Sequence, residues 1–221
     1  MNRVRAVLFD LDGTVADTAP DLTRALNRVR AEQGLAPLPP EVARPHTSAG
    51  ARGLLKAGFG ITPEDEAYAA LRDRFLDFYE KELCVETRLF DGIPELLAKI
   101  RVRKLPWGIV TNKGKRFSEP LLRLLAVNQL AACIVSGDST PHIKPHPAPL
   151  LLAASLLSLP AADCLYVGDD LRDVQAARAA GMRVAVAGWG YLGVGEDPRD
   201  WNADAIVSHP REVLDLLQDA A

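Results

Sequence analysis

The chain has few of the residues that build thiolate metal sites or disulfide frameworks. Its 221 residues include three scattered cysteines without C-x-x-C spacing, and four histidines without ligand spacing. Because a structural zinc site needs paired ligands and a disulfide framework needs paired cysteines, the sequence favours neither. Cys133 and Cys164 lie in apolar segments, so we expect buried thiols in a reducing compartment, the cytoplasm.

Long apolar runs and an excess of positive charge are also missing. No segment approaches the length of a membrane span, and the first residues lead into a short apolar run and an aspartate rather than into a secretion signal. A formal net charge of −3 attracts neither nucleic acid nor an anionic membrane. We therefore expect a monomer or homodimer that acts on a small molecule, with no nucleic-acid or membrane partner.

Two carboxylates follow the first apolar run, Val4–Phe9. Asp10 and Asp12 are separated by one residue and are followed by Gly13 and Thr14. Residues two apart in a strand point to the same side, and two carboxylates held so close repel each other unless a cation neutralises them. A hard, oxygen-seeking ion such as Mg²⁺ suits this pair. The alternative is an ordinary strand-end turn with solvated aspartates.

The second part of the chain alternates short apolar strands with helical patterns. Strands are predicted over 106–110, 132–136, 164–167, 183–187 and 205–207, and helices over 94–102, 117–125, 149–158, 171–180 and 211–218. This alternation is typical of an α/β fold with a doubly wound parallel sheet, whose strands are buried on both faces.

The segment 16–86 shows helical patterns and no convincing strand. Helices are predicted over 20–33, 49–57 and 63–82. Because this segment interrupts the alternation just after the first strand, we expect an inserted all-helical cap over the carboxyl edge of the sheet, where such folds place their sites. The predicted domains are a core, 1–15 and 87–221, and a cap, 16–86.

Three further polar motifs follow predicted strands. They contain Thr111 in Thr-Asn-Lys, Lys144 in Lys-Pro-His-Pro, and Asp169 in Gly-Asp-Asp-Leu-Arg-Asp. A hydroxyl at a strand end beside backbone amides suits an anion. The prolines around His146 hold Lys144 in an extended backbone, where its ammonium would neutralise carboxylates and a phosphate. The alternatives are a helix cap for Thr111 and a solvated surface charge for Lys144.

Two more carboxylates lie close to Asp169 in the sequence. Asp173 is one helical turn further on, so it would lie on the same side and could orient Lys144 or a metal-bound water. Asp170 fits the N-cap position of the helix predicted to begin at Leu171.

Together these motifs resemble the four signatures of the haloacid dehalogenase-like hydrolases: D-x-D-G-T-V, T-N-K, K-P-x-P and G-D-x-x-x-D, in this order. The resemblance covers the whole predicted core and implies a phosphatase. It implies that Asp10 attacks phosphorus and forms an aspartyl-phosphate, and that Asp12 serves as general acid and base.

The resemblance also implies the remaining site residues. Mg²⁺ would be bound by Asp10, the backbone carbonyl of Asp12 and Asp169. The phosphate oxygens would be held by Thr111, Asn112 and Lys144.

Two alternatives to a phosphatase stay open at this point. One is a phosphosugar mutase, but mutases of the family more often carry Glu-Asp where this chain has Gly168-Asp169, so hydrolysis is favoured. Dehalogenases of the family lack the second aspartate, and its presence here favours phosphate chemistry. A binding or regulatory protein with the same fold is the other alternative, since fold alone does not establish activity. A pure binding protein would have no need of Asp12.

Specificity is expected to reside in the cap, which resembles that of phosphoglycolate phosphatase-like enzymes and should close as a lid. Ser48 and Gly50 permit close backbone approach, and Arg52 could meet a substrate carboxylate or sugar oxygens, unless it is a solvated helix residue. This segment and the loop with Trp189 and Tyr191 also resemble a branch acting on N-acetylmuramic acid 6-phosphate. The two aromatics could then line a sugar-sized pocket.

Overall fold

A six-stranded parallel sheet forms the centre of the computed structural model, which describes residues 4–195 and 197–217. The strands of this sheet and of a small second sheet are β1 (Ala6–Phe9), β2 (Ala16–Asp17), β3 (Arg88–Leu89), β4 (Trp107–Val110), β5 (Cys133–Val135), β6 (Cys164–Gly168), β7 (Arg183–Ala187) and β8 (Ala205–Val207). The order in the large sheet is β5-β4-β1-β6-β7-β8, and every pair is parallel. The predicted doubly wound α/β fold is confirmed.

The order of the strands reverses at β1. Val7 of β1 pairs with Trp107 of β4 on one side and with Leu165 of β6 on the other. In sheets of this kind, ligands bind outside the carboxyl ends of the strands at the point of reversal. The residues that follow β1, β4 and β6 are therefore brought to one edge of the sheet.

Successive residues of the strands pack on opposite faces of the sheet. In β1, Val7 and Phe9 belong to one buried cluster, and Ala6 and Leu8 belong to another. All four side chains are fully buried, because helices cover both faces. This explains why the strands read as continuous apolar runs.

The helices around the sheet begin and end within two residues of the predicted bounds. They are α5 (Ile93–Val102), α6 (Lys115–Leu124), α7 (Ala148–Leu156) and α8 (Leu171–Ala179). The last predicted helix, 211–218, is wrong as an α-helix. A 3₁₀ helix covers Pro210–Leu214 instead, as is common for short terminal pieces, and residue 218 lies outside the described residues. No described helix has the length and apolarity to cross a membrane.

The inserted segment forms four helices, α1 (Ala19–Glu32), α2 (Pro40–Ala43), α3 (Gly50–Phe59) and α4 (Tyr68–Lys81), with a 3₁₀ helix over Arg44–Ala49. Helix α4 begins five residues later than predicted. The Asp65 carboxylate accepts hydrogen bonds from the N–H and hydroxyl of Thr62, and this local turn competes with helical hydrogen bonding.

The prediction that 16–86 contains no strand is wrong at its first residues. Strand β2 pairs antiparallel with β3, with Ala16 opposite Leu89 and Asp17 opposite Arg88. Two residues are too few to show a strand periodicity, so the pattern could not reveal this ribbon. The two chain segments that join the helical insertion to the sheet are therefore hydrogen-bonded side by side.

A buried carboxylate ties the start of the insertion to its end. Asp21 on α1 accepts hydrogen bonds from the N–H groups of Val85 (2.9 Å), Glu86 (3.0 Å) and Thr87 (2.9 Å) and from the Thr87 hydroxyl (2.7 Å), and it pairs with Arg24. Burial raises the pKa of Asp21, but the hydrogen bonds from Thr87 and Glu86 and the charge of Arg24 outweigh it and hold the pKa below its usual value.

Candidate active site

Asp10 lies directly after β1 at the carboxyl edge of the sheet. Its N–H donates to the carbonyl of Val167 in β6 (2.9 Å), and its Oδ1 accepts from the Leu11 N–H (2.7 Å) and lies 3.0 Å from Lys144 Nζ. Burial is the largest cause that raises the pKa of Asp10 to about 7, and the nearby Asp173 and Asp12 carboxylates also raise it. The charge of Lys144 acts in the opposite direction and lowers the pKa. Asp10 is thus a carboxylate held in place by backbone and ammonium contacts.

Three carboxylates converge at this edge. Ligand oxygens of Asp10, Asp169 and Asp173 all lie within 4.8 Å of one another. Burial and the charges of Asp10 and Asp173 raise the pKa of Asp169 well above its usual value. An excess of buried negative charge of this kind is lowered when a cation binds between the carboxylates.

Asp169 is fully buried and receives its hydrogen bonds from neutral groups. The donors are the Thr14 hydroxyl (2.8 Å), the Ser48 hydroxyl (3.2 Å) and the Tyr191 N–H (3.0 Å). Within residues 4–195 and 197–217, no lysine or arginine forms an ion pair with it. Buried carboxylates are normally paired or coordinate a metal. The cluster with Asp10 is therefore positioned to hold a hard cation.

Lys144 is buried and its ammonium is fully engaged. Nζ contacts four oxygens, those of Asp173 Oδ1 (2.6 Å), Tyr166 Oη (2.8 Å), Asp10 Oδ1 (3.0 Å) and the Val110 carbonyl (3.1 Å). Burial lowers the pKa of Lys144, and the Asp10 and Asp173 charges more than offset this, so the ammonium stays charged. The structure brings this predicted residue between Asp10 and Asp173.

Thr111 and Asn112 follow β4 beside Lys144. The Thr111 hydroxyl is buried and accepts from the Lys113 N–H (3.1 Å). The Asn112 side-chain amide is used on the backbone of Lys144, accepting from its N–H (2.9 Å) and donating to its carbonyl (3.0 Å). The observed task of Asn112 is thus to fix the Lys144 segment, and its contact with a phosphate stays a prediction.

Asp170 and Asp173 form the start of α8. Asp170 is the N-cap residue, as predicted, and accepts from the Arg172 N–H (2.9 Å), while the Asp173 carboxylate accepts from the Asp170 N–H (3.1 Å). This capping box fixes Asp173, whose other oxygen accepts from Lys144.

Two glycines give the backbone room at the carboxylate cluster. A Cβ on Gly13, which has a φ of +84°, would collide with the Asp169 carboxylate. A Cβ on Gly190 would collide with the side chain of Asp169 and with the Gly13 carbonyl. The Gly in the first motif is therefore required both by its left-handed conformation and by the closeness of Asp169.

Comparisons with known proteins place this geometry in a family. The haloacid dehalogenase-like hydrolase model matches residues 7–187, which include every strand-end residue described above. The chain belongs to the haloacid dehalogenase-like hydrolase family. The predicted resemblance is confirmed at this level.

Curated relatives and a solved structure agree with this assignment. The chain is 43% identical over 218 residues (99% of this chain, 96% of the relative) to an N-acetylmuramic acid 6-phosphate phosphatase of Pseudomonas aeruginosa. It is 42% identical over 209 residues (95% of this chain, 94% of the relative) to a phosphoglycolate phosphatase of Xanthomonas campestris. A crystal structure described as a predicted phosphoglycolate phosphatase from Haemophilus somnus superposes with a TM-score of 0.87 at 25% identity, covering 99% of this chain and 100% of that one.

Asp12, the second aspartate of the first family motif, lies apart from the carboxylate cluster. Its Oδ1 accepts from Lys113 Nζ (2.8 Å) and from the Thr18 hydroxyl (2.6 Å). The Lys113 side chain is only 9% exposed. Asp12 is therefore paired with Lys113, whereas Asp10 is paired with Lys144. Binding of a metal by the Asp12 carbonyl stays a prediction.

A cavity of about 290 Å³ opens beside these residues, between the hydrolase core and the helical insertion. Its wall includes Asp10, Asp12, Thr111 and Lys144 from the core, and Ser48 and Gly50 from the insertion. The predicted substrate-contacting segment thus reaches the cavity at two of its three positions.

Arg52 lies elsewhere. It lines a neighbouring cavity of about 460 Å³ together with His46, Lys56 and Val194. Gly50 and Arg52 are two residues apart on α3, so they face in different directions around the helix. The structure does not bring Arg52 to the Asp10 cavity, and its contact with a substrate stays a prediction.

Trp189 and Tyr191 do not line the Asp10 cavity. Both lie in a loop of the core, from which Trp189 hydrogen-bonds to the first motif and Tyr191 to the insertion. Trp189 Nε1 donates to the Thr14 carbonyl (2.9 Å). The Tyr191 hydroxyl accepts from the N–H groups of Thr18 (2.7 Å) and Ala19 (2.9 Å), at the start of α1. In this structure they are packing and positioning residues, and their contact with a sugar stays a prediction.

Two site residues were missed by reasoning from the sequence. Lys113 follows Thr111 and Asn112, and the T-N-K motif itself was the available signal. Arg172 pairs with Asp170 and donates to the Ser48 carbonyl (2.7 Å), which joins α8 to the insertion. No local pattern announces this contact, because the two residues are 124 positions apart.

Proposed function

We propose that this chain is a Mg²⁺-dependent phosphatase that hydrolyses a small phosphomonoester through an aspartyl-phosphate on Asp10. The observation that carries the proposal is the Asp10 carboxylate, which lines the cavity 3.0 Å from Lys144 Nζ and within 4.8 Å of two further carboxylates. Membership of a hydrolase family supports it.

The proposed nucleophile must attack as a carboxylate. Lys144 stabilises the charged form of Asp10, and the Leu11 N–H, which donates to Oδ1, fixes the direction of the carboxylate. An acyl-phosphate on Asp10 divides the hydrolysis into two easier steps. Thr111 and Lys144 would hold the non-bridging oxygens of the phosphate.

The donor set suits Mg²⁺. Asp10 and Asp169 offer carboxylate oxygens, which this ion prefers, and Asp169 has no cationic partner in the described part of the chain. When bound, Mg²⁺ would lower the repulsion between an anionic carboxylate and an anionic phosphate. Asp173 is better placed to hold Lys144, to which it is hydrogen-bonded (2.6 Å).

Asp12 would protonate the leaving oxygen and then take a proton from the attacking water. Its carboxylate lines the cavity and is steered by the Thr18 hydroxyl and Lys113. Because Thr18 directly precedes α1, the position of Asp12 depends on the start of the helical insertion.

The two similar relatives differ in their named substrates, and both substrates are small phosphomonoesters. The proposal therefore includes 2-phosphoglycolate and N-acetylmuramic acid 6-phosphate as candidates. It also includes the division into a core, 1–15 and 87–221, and a cap, 16–86, as well as a cytoplasmic monomer or homodimer.

The test is phosphate release from these two compounds and from p-nitrophenyl phosphate, with Mg²⁺ or with EDTA. We expect release with Mg²⁺, its loss after chelation, and its return when Mg²⁺ is added back. Asp10→Asn should abolish release, whereas Asp73→Asn, at an exposed aspartate of α4, should not change it. No release from any compound, or undiminished release after exhaustive chelation, would contradict the proposal.

A further inference from the structure

The two lysines of the cavity differ in how fully their ammonium groups are bonded. Lys144 Nζ contacts four oxygens, more than its three N–H groups can serve singly. Lys113 Nζ donates to one carboxylate oxygen, that of Asp12, and its other close neighbour is Tyr79, whose ring centroid is 4.7 Å away and whose hydroxyl also interacts with the ammonium. Lys113 therefore has hydrogen-bonding capacity left.

Lys113 is held rigidly and stays charged. Its N–H donates to the Thr111 hydroxyl (3.1 Å), and its carbonyl accepts from the Gly137 N–H (2.9 Å). Its side chain is only 9% exposed, and Nζ lies 2.8 Å from the Asp12 carboxylate, which stabilises the ammonium. An ammonium that is desolvated, charged and incompletely bonded is suited to an anionic ligand.

The other cations near the cavity are already occupied or face elsewhere. Arg172 lies on the cavity wall, but its guanidinium is bonded to Asp170 and to the Ser48 carbonyl. Arg52 lines the other cavity. In the described part of the insertion, the residues that line the Asp10 cavity are uncharged. Any anionic group on the substrate besides its phosphate would thus meet Lys113.

The position of Lys113 relative to the reacting groups indicates which part of the substrate carries this second anionic group. In the proposed function the phosphate lies against Asp10, with Thr111 and Lys144 beside its oxygens, and the leaving oxygen lies at Asp12. Lys113 Nζ is 2.8 Å from Asp12 Oδ1, on the leaving-group side. The Thr18 hydroxyl also donates to Asp12, so Asp12 keeps a partner when Lys113 turns to a ligand.

We propose that Lys113 binds a carboxylate on the leaving group of the substrate, and that the enzyme selects phosphomonoesters whose alcohol portion is an acid. This inference rests on the proposed phosphatase function and assigns its substrate class. The selectivity comes from the core, through the lysine of the Thr-Asn-Lys motif, and not from a charged residue of the cap.

A second donor lies beside Lys113. The hydroxyl of Tyr79 on α4 is buried, Tyr79 belongs to the cavity wall, and among the described residues no acceptor is available for the hydroxyl proton. Burial raises the pKa of Tyr79 to about 12, despite the opposing charge of Lys113, so the hydroxyl keeps its proton. A buried hydroxyl whose proton has no acceptor is uncommon, and a ligand oxygen held at Lys113 would supply one.

The test compares acidic and neutral substrates that share the same ester. One pair is 2-phosphoglycolate and 2-hydroxyethyl phosphate, and the other is N-acetylmuramic acid 6-phosphate and N-acetylglucosamine 6-phosphate. For the pair that the wild-type enzyme hydrolyses faster, we expect Lys113→Met to lower the acid-to-neutral ratio of kcat/KM at least tenfold, mainly through KM. Lys113→Arg should restore part of the ratio, and Tyr79→Phe should lower it by a smaller factor.

Two controls separate this effect from folding and from general catalysis. Lys115→Met removes an exposed lysine two residues away and should leave the ratio within twofold of wild type. Should Lys113→Met not fold, the same comparison is made by calorimetric binding of the acid and neutral compounds to Asp10→Asn, with Lys113→Gln as the second substitution. The acid should then bind at least tenfold more tightly than the neutral compound only when Lys113 is present.

The proposal would be overturned if Lys113→Met lowered kcat/KM equally for the acid and the neutral member of a pair, so that their ratio did not change. Lys113 would then be a ligand of the phosphate or a partner of Asp12 alone. A wild-type enzyme that hydrolyses the neutral members as fast as the acids would overturn it as well. Failure of the proposed function itself would look different, since no member of either pair would then release phosphate.

Discussion

On the core side of the cavity, charged side chains lie within hydrogen-bond distance of one another, as in the pairs Asp12–Lys113 (2.8 Å) and Asp10–Lys144 (3.0 Å). On the side of the helical insertion, the wall is made of small and aromatic residues such as Ser48, Gly50 and Phe75. The cavity therefore has one charged wall, from the core, and one uncharged wall, from the insertion. The charged groups on which the proposed chemistry depends therefore all lie at the sheet edge, whereas the insertion contributes uncharged lining residues.

The two regions are also fastened in different ways. The core side chains are fixed by the ends of adjacent strands, so their geometry follows from the sheet. The insertion is joined to the core by the β2–β3 ribbon and by a few polar contacts, including Ser48 to Asp169 (3.2 Å) and Arg172 to the Ser48 carbonyl (2.7 Å). Because Ser48 donates to Asp169, a movement of the insertion would change one hydrogen bond of the carboxylate cluster.

The largest effect is expected from the core wall. Asp12→Asn removes the proposed acid and keeps the shape of the side chain, so kcat/KM for a sugar or alkyl phosphate should fall about 10²–10⁴-fold. The loss should be much smaller for p-nitrophenyl phosphate, whose leaving group needs little protonation. Steady-state kinetics on both esters check this, and equal losses would remove Asp12 from its role as acid.

An intermediate effect, on stability, is expected at Asp21, which hydrogen-bonds the start of the insertion to its end. Asp21→Asn weakens the bonds to Glu86 and Thr87 and the pair with Arg24, and should lower the free energy of unfolding by about 1–3 kcal/mol at pH 7. Urea unfolding measures this, with Asp73→Asn as the exposed control.

The effect of Asp21 should depend on pH with a definite sign. The pKa of Asp21 is depressed in the folded protein, so its contribution to stability is present above the usual carboxyl pKa of about 4 and is lost as pH falls through the lower, folded value. The stabilities of the wild type and of Asp21→Asn should therefore converge in acid. A gap that widens as pH falls would show that Asp21 is not bound as a carboxylate.

The smallest effect is expected at Arg52, which lines the neighbouring cavity. Arg52→Ala should change kcat/KM by less than about threefold, which is about 0.6 kcal/mol, for both the preferred substrate and p-nitrophenyl phosphate. A loss above tenfold confined to the preferred substrate would mean that the insertion closes further and carries Arg52 to the substrate. The division between a charged core wall and an uncharged wall of the insertion would then apply only to the present position of the insertion.

The sequence predicted the sheet edge well because its signals are local. Asp10, Thr111 and Asp169 each directly follow an apolar strand, and parallel strands bring such positions together without further information. The N-cap of α8 at Asp170 was predictable for the same reason, since a capping box is a four-residue pattern.

The contacts that escaped prediction join residues distant in the chain. Tyr191 bonds to Thr18, 173 positions away, and no periodicity encodes this pairing. The partner of Lys113 is Asp12, 101 positions away, so the T-N-K motif showed a lysine but not its counter-ion. The contact of Arg52 with a substrate stays a prediction, because the structure places Arg52 on the neighbouring cavity and holds no substrate.

The central claim is that Asp10 is the nucleophile, and a chemical trap of the intermediate tests it most directly. Wild-type enzyme turning over its best substrate with Mg²⁺ is quenched with borohydride, which reduces an acyl-phosphate to the alcohol and so converts the modified aspartate to homoserine. Mass spectrometry of the peptides should find homoserine at position 10, and only when both substrate and Mg²⁺ are present. Homoserine at position 12 or 169, or an unmodified Asp10 during steady turnover, would contradict the account.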